Sequence, residues 1–177
     1  MMRSFVFFWM FLGVSLGQAE KPASSDVLLG HAEKPAPSSD VLKKETSTLA
    51  NGVDKVISAA VPNTRPFQTA KATYLDGYGI VVTIETALEP PRNLFSNAKT
   101  PAETRTAMNQ RLSELEDGIK GLLKDRAGTL QSVSDSESIT VVVYISNFNP
   151  DVPNFPAQIV FTARKEDPAH VTTRTFQ

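Results

Sequence analysis

Residues 100–128 read TPAETRTAMNQRLSELEDGIKGLLKDRAG, and this stretch decides the fold. Thr100 has the hydroxyl of a helix cap, Pro101 suits the first helical position, and Glu103 completes a capping box. Met108, Leu112, Leu115, Ile119, Leu122 and Leu123 follow at three- and four-residue steps. The opposite face carries Glu103, Arg105, Arg111, Glu114, Asp117, Lys120 and Lys124. The spacing predicts an amphipathic helix of roughly seven turns over 101–127, with Gly128 placed to end it. Gly118 and Gly121 interrupt the pattern. They mark close packing against a neighbour, or they only cost about 1 kcal/mol each relative to Ala.

Strand-like runs lie on both sides. Residues 79–87 contain Ile80, Val81, Val82, Thr83 and Ile84, a β-branched run suited to a buried strand. Residues 67–75 also have strand character. Asp76-Gly77-Tyr78 lies between these two runs and predicts a hairpin, because Gly accepts a positive φ at no cost. Downstream, residues 138–147 read SITVVVYISN and 157–164 read AQIVFTAR, two further strands. Residues 171–176 form a short edge strand after the turn at Glu166-Asp167-Pro168. Upstream, Thr46-Ser47-Thr48 offers cap hydroxyls for a shorter helix carrying Leu49, Val53, Val56, Ile57 and Ala60, ended by Pro62. Gly52 weakens that helix. The order predicts an α+β fold: a mostly antiparallel sheet of four to five strands packed against one long helix, with a shorter N-terminal helix. A crossover helix would place strand 79–87 beside strand 138–147.

The first 45 residues have a different character. Arg3 precedes an apolar stretch from Ser4 to Leu16, and Gly17-Gln18-Ala19 supplies the small residues of a cleavage site. This predicts a signal peptide over 1–19 and an exported, periplasmic or secreted protein with no membrane span after cleavage. AEKPASSDVL from Ala19 returns as AEKPAPSSDVL from Ala32. Two copies of that size build no core, so 20–45 reads as a disordered linker and 46–177 as a single domain. His31 lies inside the linker and is a solvated side chain on this reading.

The run Tyr74-Leu75-Asp76-Gly77-Tyr78-Gly79 ahead of Ile80-Val81-Val82-Thr83 resembles uncharacterised secreted bacterial proteins with a Tyr-Leu-x-Gly-Tyr-Gly turn before a hydrophobic strand. The likeness extends to the helix and Val-rich strand of 101–147, about half the chain. It implies a bacterial origin and export, and brings no catalytic residue.

Composition narrows the chemistry. The net charge of −1 and the lack of a Lys/Arg cluster among aromatics argue against a nucleic-acid partner. The chain has no cysteine, which removes disulfides, thiolate metal sites and thiol nucleophiles. There is no phosphate-binding Gly-rich run, no His-Glu-x-x-His and no Gly-x-Ser-x-Gly. His170 sits beside Pro168 as a surface side chain. Glu85 with Glu89, the Glu114, Glu116, Asp117 group, and Asp135 with Glu137 are carboxylate pairs without a convergent cleft in the pattern. No cofactor, metal or catalytic set is expected.

Two loops remain as binding candidates. The hairpin tip presents Tyr74, Asp76 and Tyr78, and the proline-rich loop 147–156 offers Phe148, Asn149, Asp151 and Phe155. The ordinary alternative is that these aromatic rings tuck onto the core. The function expected is a non-catalytic module acting by contact with an envelope or secreted protein. Its rivals are a hydrolase using carboxylates or His170, and a small-ligand carrier with an apolar pocket between helix and sheet.

Overall fold

A computed structural model describes residues 38–62, 67–89, 100–147, 149–150 and 152–177. The expected signal peptide over 1–19 and most of the expected linker over 20–45 lie outside the described residues. The fold is α+β, as the element order implies. Helix α1 spans Ser39–Ala60; strands β1, Lys71–Leu75, and β2, Gly79–Thr86, form the hairpin. Helix α2 spans Pro101–Arg126 and runs into a 3-10 turn, Ala127–Thr129. Strands β3, Ser138–Ile145, β4, Gln158–Arg164, and β5, Val171–Phe176, complete the chain. The five strands stand side by side in sequence order. Every pairing is antiparallel except β2 with β3, which run parallel from Gly79↔Ser138 to Thr86↔Ile145. That parallel pair is the consequence of the α2 crossover.

Alternation then sorts the sheet into two faces. Ile80, Val82, Ile84, Ile139, Val141, Val143, Ile159, Phe161 and Ala163 all point to one face and are buried. They form one core with Leu49, Val53 and Ile57 of α1 and Met108, Leu115, Ile119 and Leu123 of α2. The capping box of α2 is formed in both directions: Glu103 N–H donates to Thr100 Oγ1 at 3.3 Å, and Thr100 N–H donates to Glu103 Oε2 at 2.8 Å. The two helices share the work of covering the face, α1 lying over β1 and β2 and α2 reaching β4 and β5.

The start of α1 corrects the sequence expectation. Ser38, not the Thr46-Ser47-Thr48 run, is the cap, and its side chain accepts from Val41 N–H. Thr46 and Thr48 sit within the helix and donate to the carbonyls of Leu42 and Lys44. Residues 39–45 are therefore helix and not linker. Two causes act together. Asp40 lies in the first turn, where a negative charge favours the helix end. Glu45 is held from outside, its carboxylate accepting from the N–H groups of Gln131 and Ser132. Strand β1 is also shorter than expected, starting at Lys71 and not Phe67. Asp54 of α1 accepts from Ala70 N–H at 2.9 Å and ties the chain to the helix before pairing begins.

Two glycines explain how the helices meet. A Cβ at Gly118 would lie 2.6 Å from Val56 Cγ1, and one at Gly52 would lie 2.9 Å from Leu122 Cδ1. Each helix thus receives a branched side chain of the other at a glycine. Gly52, which weakens α1 locally, is a packing position. Gly121 has nothing within 4 Å of its Cβ position. Gly118→Val is therefore expected to destabilise the protein by about 1–3 kcal/mol through overpacking. Gly121→Ala is expected to stabilise it by up to about 1 kcal/mol. Urea unfolding of both variants measures the contrast, and equal effects at the two sites would contradict it.

Candidate functional site

The two candidate loops lie at opposite ends of the sheet. The hairpin tip precedes β2, whereas loop 147–156 follows β3, which runs parallel to β2. Eight residues of strand, roughly 25 Å, separate them. The structure does not bring them into one site.

At the hairpin tip, Gly77 and Gly79 adopt φ values of 74° and 113°. Gly79 also lies against β3, since a Cβ there would fall 2.0 Å from Ser138 O. The tyrosines of this tip are engaged internally. Tyr74 OH donates to Glu137 Oε1 at 2.9 Å, and Tyr78 OH shares a hydrogen bond with Thr140 Oγ1 at 3.0 Å. Asp76 is exposed. Glu137 is 5% exposed and gathers two more donors, the N–H of Gly77 at 3.1 Å and that of Ser134 at 2.7 Å. Burial works to raise the Glu137 pKa, but the Ser134, Tyr74 and Gly77 hydrogen bonds outweigh it and hold the carboxyl below its ordinary value. Tyr74 is pushed up to about 12 by burial, by its bond to Glu137 and by the charges of Glu137 and Asp76.

The same loop is gripped from two other sides. Glu45 binds Gln131 and Ser132, the latter through both N–H and hydroxyl. Burial opposes its charge too, yet these bonds and the charge of Lys165 lower its pKa. Lys165 donates to Val133 O at 2.7 Å and pairs with Asp135 at 3.3 Å. The carboxylates here act as anchors for backbone N–H groups.

Loop 147–156 is tucked down as well. Asn149 is 5% exposed and donates through Nδ2 to Glu89 Oε2 at 2.9 Å. Asn147 donates to Val152 O, Arg105 donates to Pro153 O, and Phe155 is buried in the core. Phe148 and Asp151 lie outside the described residues. Glu85 accepts from the Ser146 hydroxyl at 2.7 Å. His170 is exposed in the turn before β5. Among the described residues, no three His, Asp or Glu side chains are placed to hold a metal.

No family model, curated protein or solved structure matches the chain. The surface itself is therefore the guide to function.

The sheet face away from the helices is the surface that sequence reasoning missed. Register places its side chains in rows. Thr73, Val81, Thr140, Thr162 and Thr172 form one; Lys71, Thr83, Val142, Val160 and Arg174 form the next. Glu85, Tyr144, Gln158 and Phe176 form a third. Half-buried Val81, Val142 and Val160 occupy the middle. Around them, Leu75, Tyr78, Tyr144 and Phe176 are 46–48% exposed. Lys71, Glu85, Arg164 and Arg174 supply a charged surround. The open face thus has a valine centre, exposed aromatic side chains and a charged surround.

The anchors set a pH response. Glu137 and Glu45 are both lowered, so their stabilisation is complete above the unfolded Glu value of about 4.3 and is lost as pH falls through their folded values. Tyr74 is raised, so its contribution is complete below about 10 and is lost as pH climbs towards about 12. Stability is expected to fall on both sides of that plateau. Glu137→Gln is expected to cost about 2 kcal/mol or more and to shrink the acid limb. It should also return one of the three phenol titrations towards the ordinary tyrosine value. Urea unfolding against pH, with a spectrophotometric phenol titration, checks both limbs. An unchanged acid limb in Glu137→Gln would contradict the assignment.

Proposed function

We propose that this chain is an exported, non-catalytic module that works by protein contact, through the open face of its sheet. One observation carries the reading: half-buried Val81, Val142 and Val160 lie at the centre of a sheet face that no described helix covers, while the two helices pack on the other face. A β-branched surface framed by Tyr144, Phe176 and Leu75 excludes water well when a partner covers it, and the aromatic rings supply anchoring area at low entropic cost. The charged rim, Lys71, Arg164 and Arg174 against Glu85, fixes orientation and favours an acidic partner edge.

The rival readings draw less support. Glu137, Glu45 and Glu89 each hold a structural hydrogen bond, and His170 stands in an exposed turn, so neither supplies a poised acid–base pair. Between helices and sheet, the buried side chains of α1, α2 and the strands form one cluster. A groove of about 450 Å³ lies on the helix pair between Lys55, Gly118 and Arg126. Export rests on the n-region, apolar stretch and small-residue site of residues 1–19.

A photoreactive residue at Tyr144 is expected to form an adduct with a partner in intact cells, and one at Ser113 on the helix layer is not. Val160→Asp is expected to weaken the Tyr144 adduct by tenfold or more, the equivalent of about 1.4 kcal/mol. Equal adducts from Tyr144 and Ser113, or none from the open face, would overturn the contact surface. Export has its own check: the mature protein is expected to begin at Glu20, and an intact Met1 contradicts cleavage.

A further inference from the structure

Strand β5 is one rim of the sheet, and its outer side carries a row of backbone N–H and C=O groups with no strand beside them among the described residues. Folded proteins blunt such rims with proline, lysine, bulges, short strands or a covering element, because a bare rim pairs with another chain. Among the described residues, β5 has none of these devices. Its six residues, VTTRTF, contain no proline and one charge, Arg174. It is bare on both faces at its end: Thr175 is exposed on the helix side, and Arg174 and Phe176 are exposed on the open side. The opposite rim differs. β1 has five residues and carries Lys71; its helix-side Ala72 and Tyr74 are packed against the core, as is Val171 at the start of β5.

We infer that β5 pairs antiparallel with β5 of a second copy of this chain, about a two-fold axis through Thr173. Symmetry and side-chain alternation select that register. A two-fold axis perpendicular to the sheet keeps both helix layers on one side only if paired residues share a face, so the axis passes through a residue and not between residues. An axis through Arg174 sets two guanidinium groups against each other. An axis through Thr172 runs the ladder back to Pro168, which has no N–H to give. The axis through Thr173 avoids both. It places Arg174 opposite Thr172, Val171 opposite Thr175, and Phe176 opposite His170 of the second copy. It also meets a deficiency within the single chain. Thr173 Oγ1 is buried and has no hydrogen-bond partner there. On the axis the two Thr173 side chains become cross-strand neighbours, and a turn about χ1 lets the hydroxyls bond to each other. The two sheets then join into one of double width, with the open faces continuous and still uncovered.

The test uses the protein purified as its host produces it. Light scattering is expected to give twice the chain mass. Because the chain has no cysteine, Thr173→Cys introduces a single thiol. Mild oxidation is expected to link Thr173→Cys into a covalent dimer at least tenfold faster than Lys71→Cys on the other rim or Thr172→Cys one residue away. Circular dichroism confirms that each variant is folded, and the wild-type mass tests the inference even where a variant is not. A monomeric mass at every concentration overturns it, as does equal crosslinking at the three positions. Capture of an extended peptide by a monomeric β5 rim overturns it too. The inference is independent of the open-face partner: a monomer that still forms the Tyr144 adduct removes this dimer and leaves that contact in place.

Discussion

The parallel pairing of β2 with β3 is the constraint from which the rest of this structure follows. Two adjacent parallel strands cannot be joined by a tight turn, so the chain must leave the end of β2 and travel back before β3 begins. Helix α2 makes that return. Its 26 residues span about 39 Å, more than the length of the strands beneath it. Once α2 lies on one face, its apolar stripe of Met108, Leu115, Ile119 and Leu123 needs the β-branched row below it and a neighbour at its side. Helix α1 is that neighbour. It comes close because Gly118 accepts Val56 and Gly52 accepts Leu122. The result, among the described residues, is a two-layer domain with both helices on one side, and the face they leave open is a direct outcome of the topology.

The connection back into β3 is the second requirement, since a slip of one residue would turn Val141 and Val143 out of the core. Register is held at the start of the pair. Gly79 admits Ser138 O at a distance that no side chain tolerates, and Ser138 N–H donates to Tyr78 O at 2.8 Å. Glu137, one residue earlier, binds the hairpin tip and the Ser134 turn at once. Glu45 and Lys165 hold the same loop from α1 and from the end of β4. Charged groups that the composition offers as possible chemistry are used as fasteners, with burial made tolerable by several N–H donors each. This is why Tyr74 turns inward with its hydroxyl on Glu137, while Tyr78, 46% exposed, bonds Thr140 on the open face.

Much of this was legible in the residues. The capping box at Thr100, the 101–127 stripe, the Asp-Gly hairpin and the β-branched runs are local signals, and each names its element within a few residues. The start of α1 was hidden because the cap at Ser38 lies in a repeat of linker composition, and the Glu45 contact that supports the first turns comes from a loop 86 residues away. The close approach at Gly52 and Gly118 was hidden because a glycine in a helix looks the same whether it is tolerated or required. The candidate site was read least well. Tyr74 and Tyr78 stand out in sequence as aromatic rings on a turn, but only tertiary structure supplies Glu137 and Thr140 as partners for their hydroxyls. The open face left no trace, because Val141-Val142-Val143 has no polar alternation. Register alone decides that Val142 is the one of the three that faces away from the core.

The central claim is that the sheet is clothed on one side and bare on the other. Carbene footprinting of the whole protein tests it most directly, because the label inserts wherever side chains meet solvent. The account predicts labelling at Val142, Tyr144 and Val160, with Val141, Val143 and Phe161 protected. Protection of both sets in the purified protein, or labelling of Val141 and Val143, would contradict it.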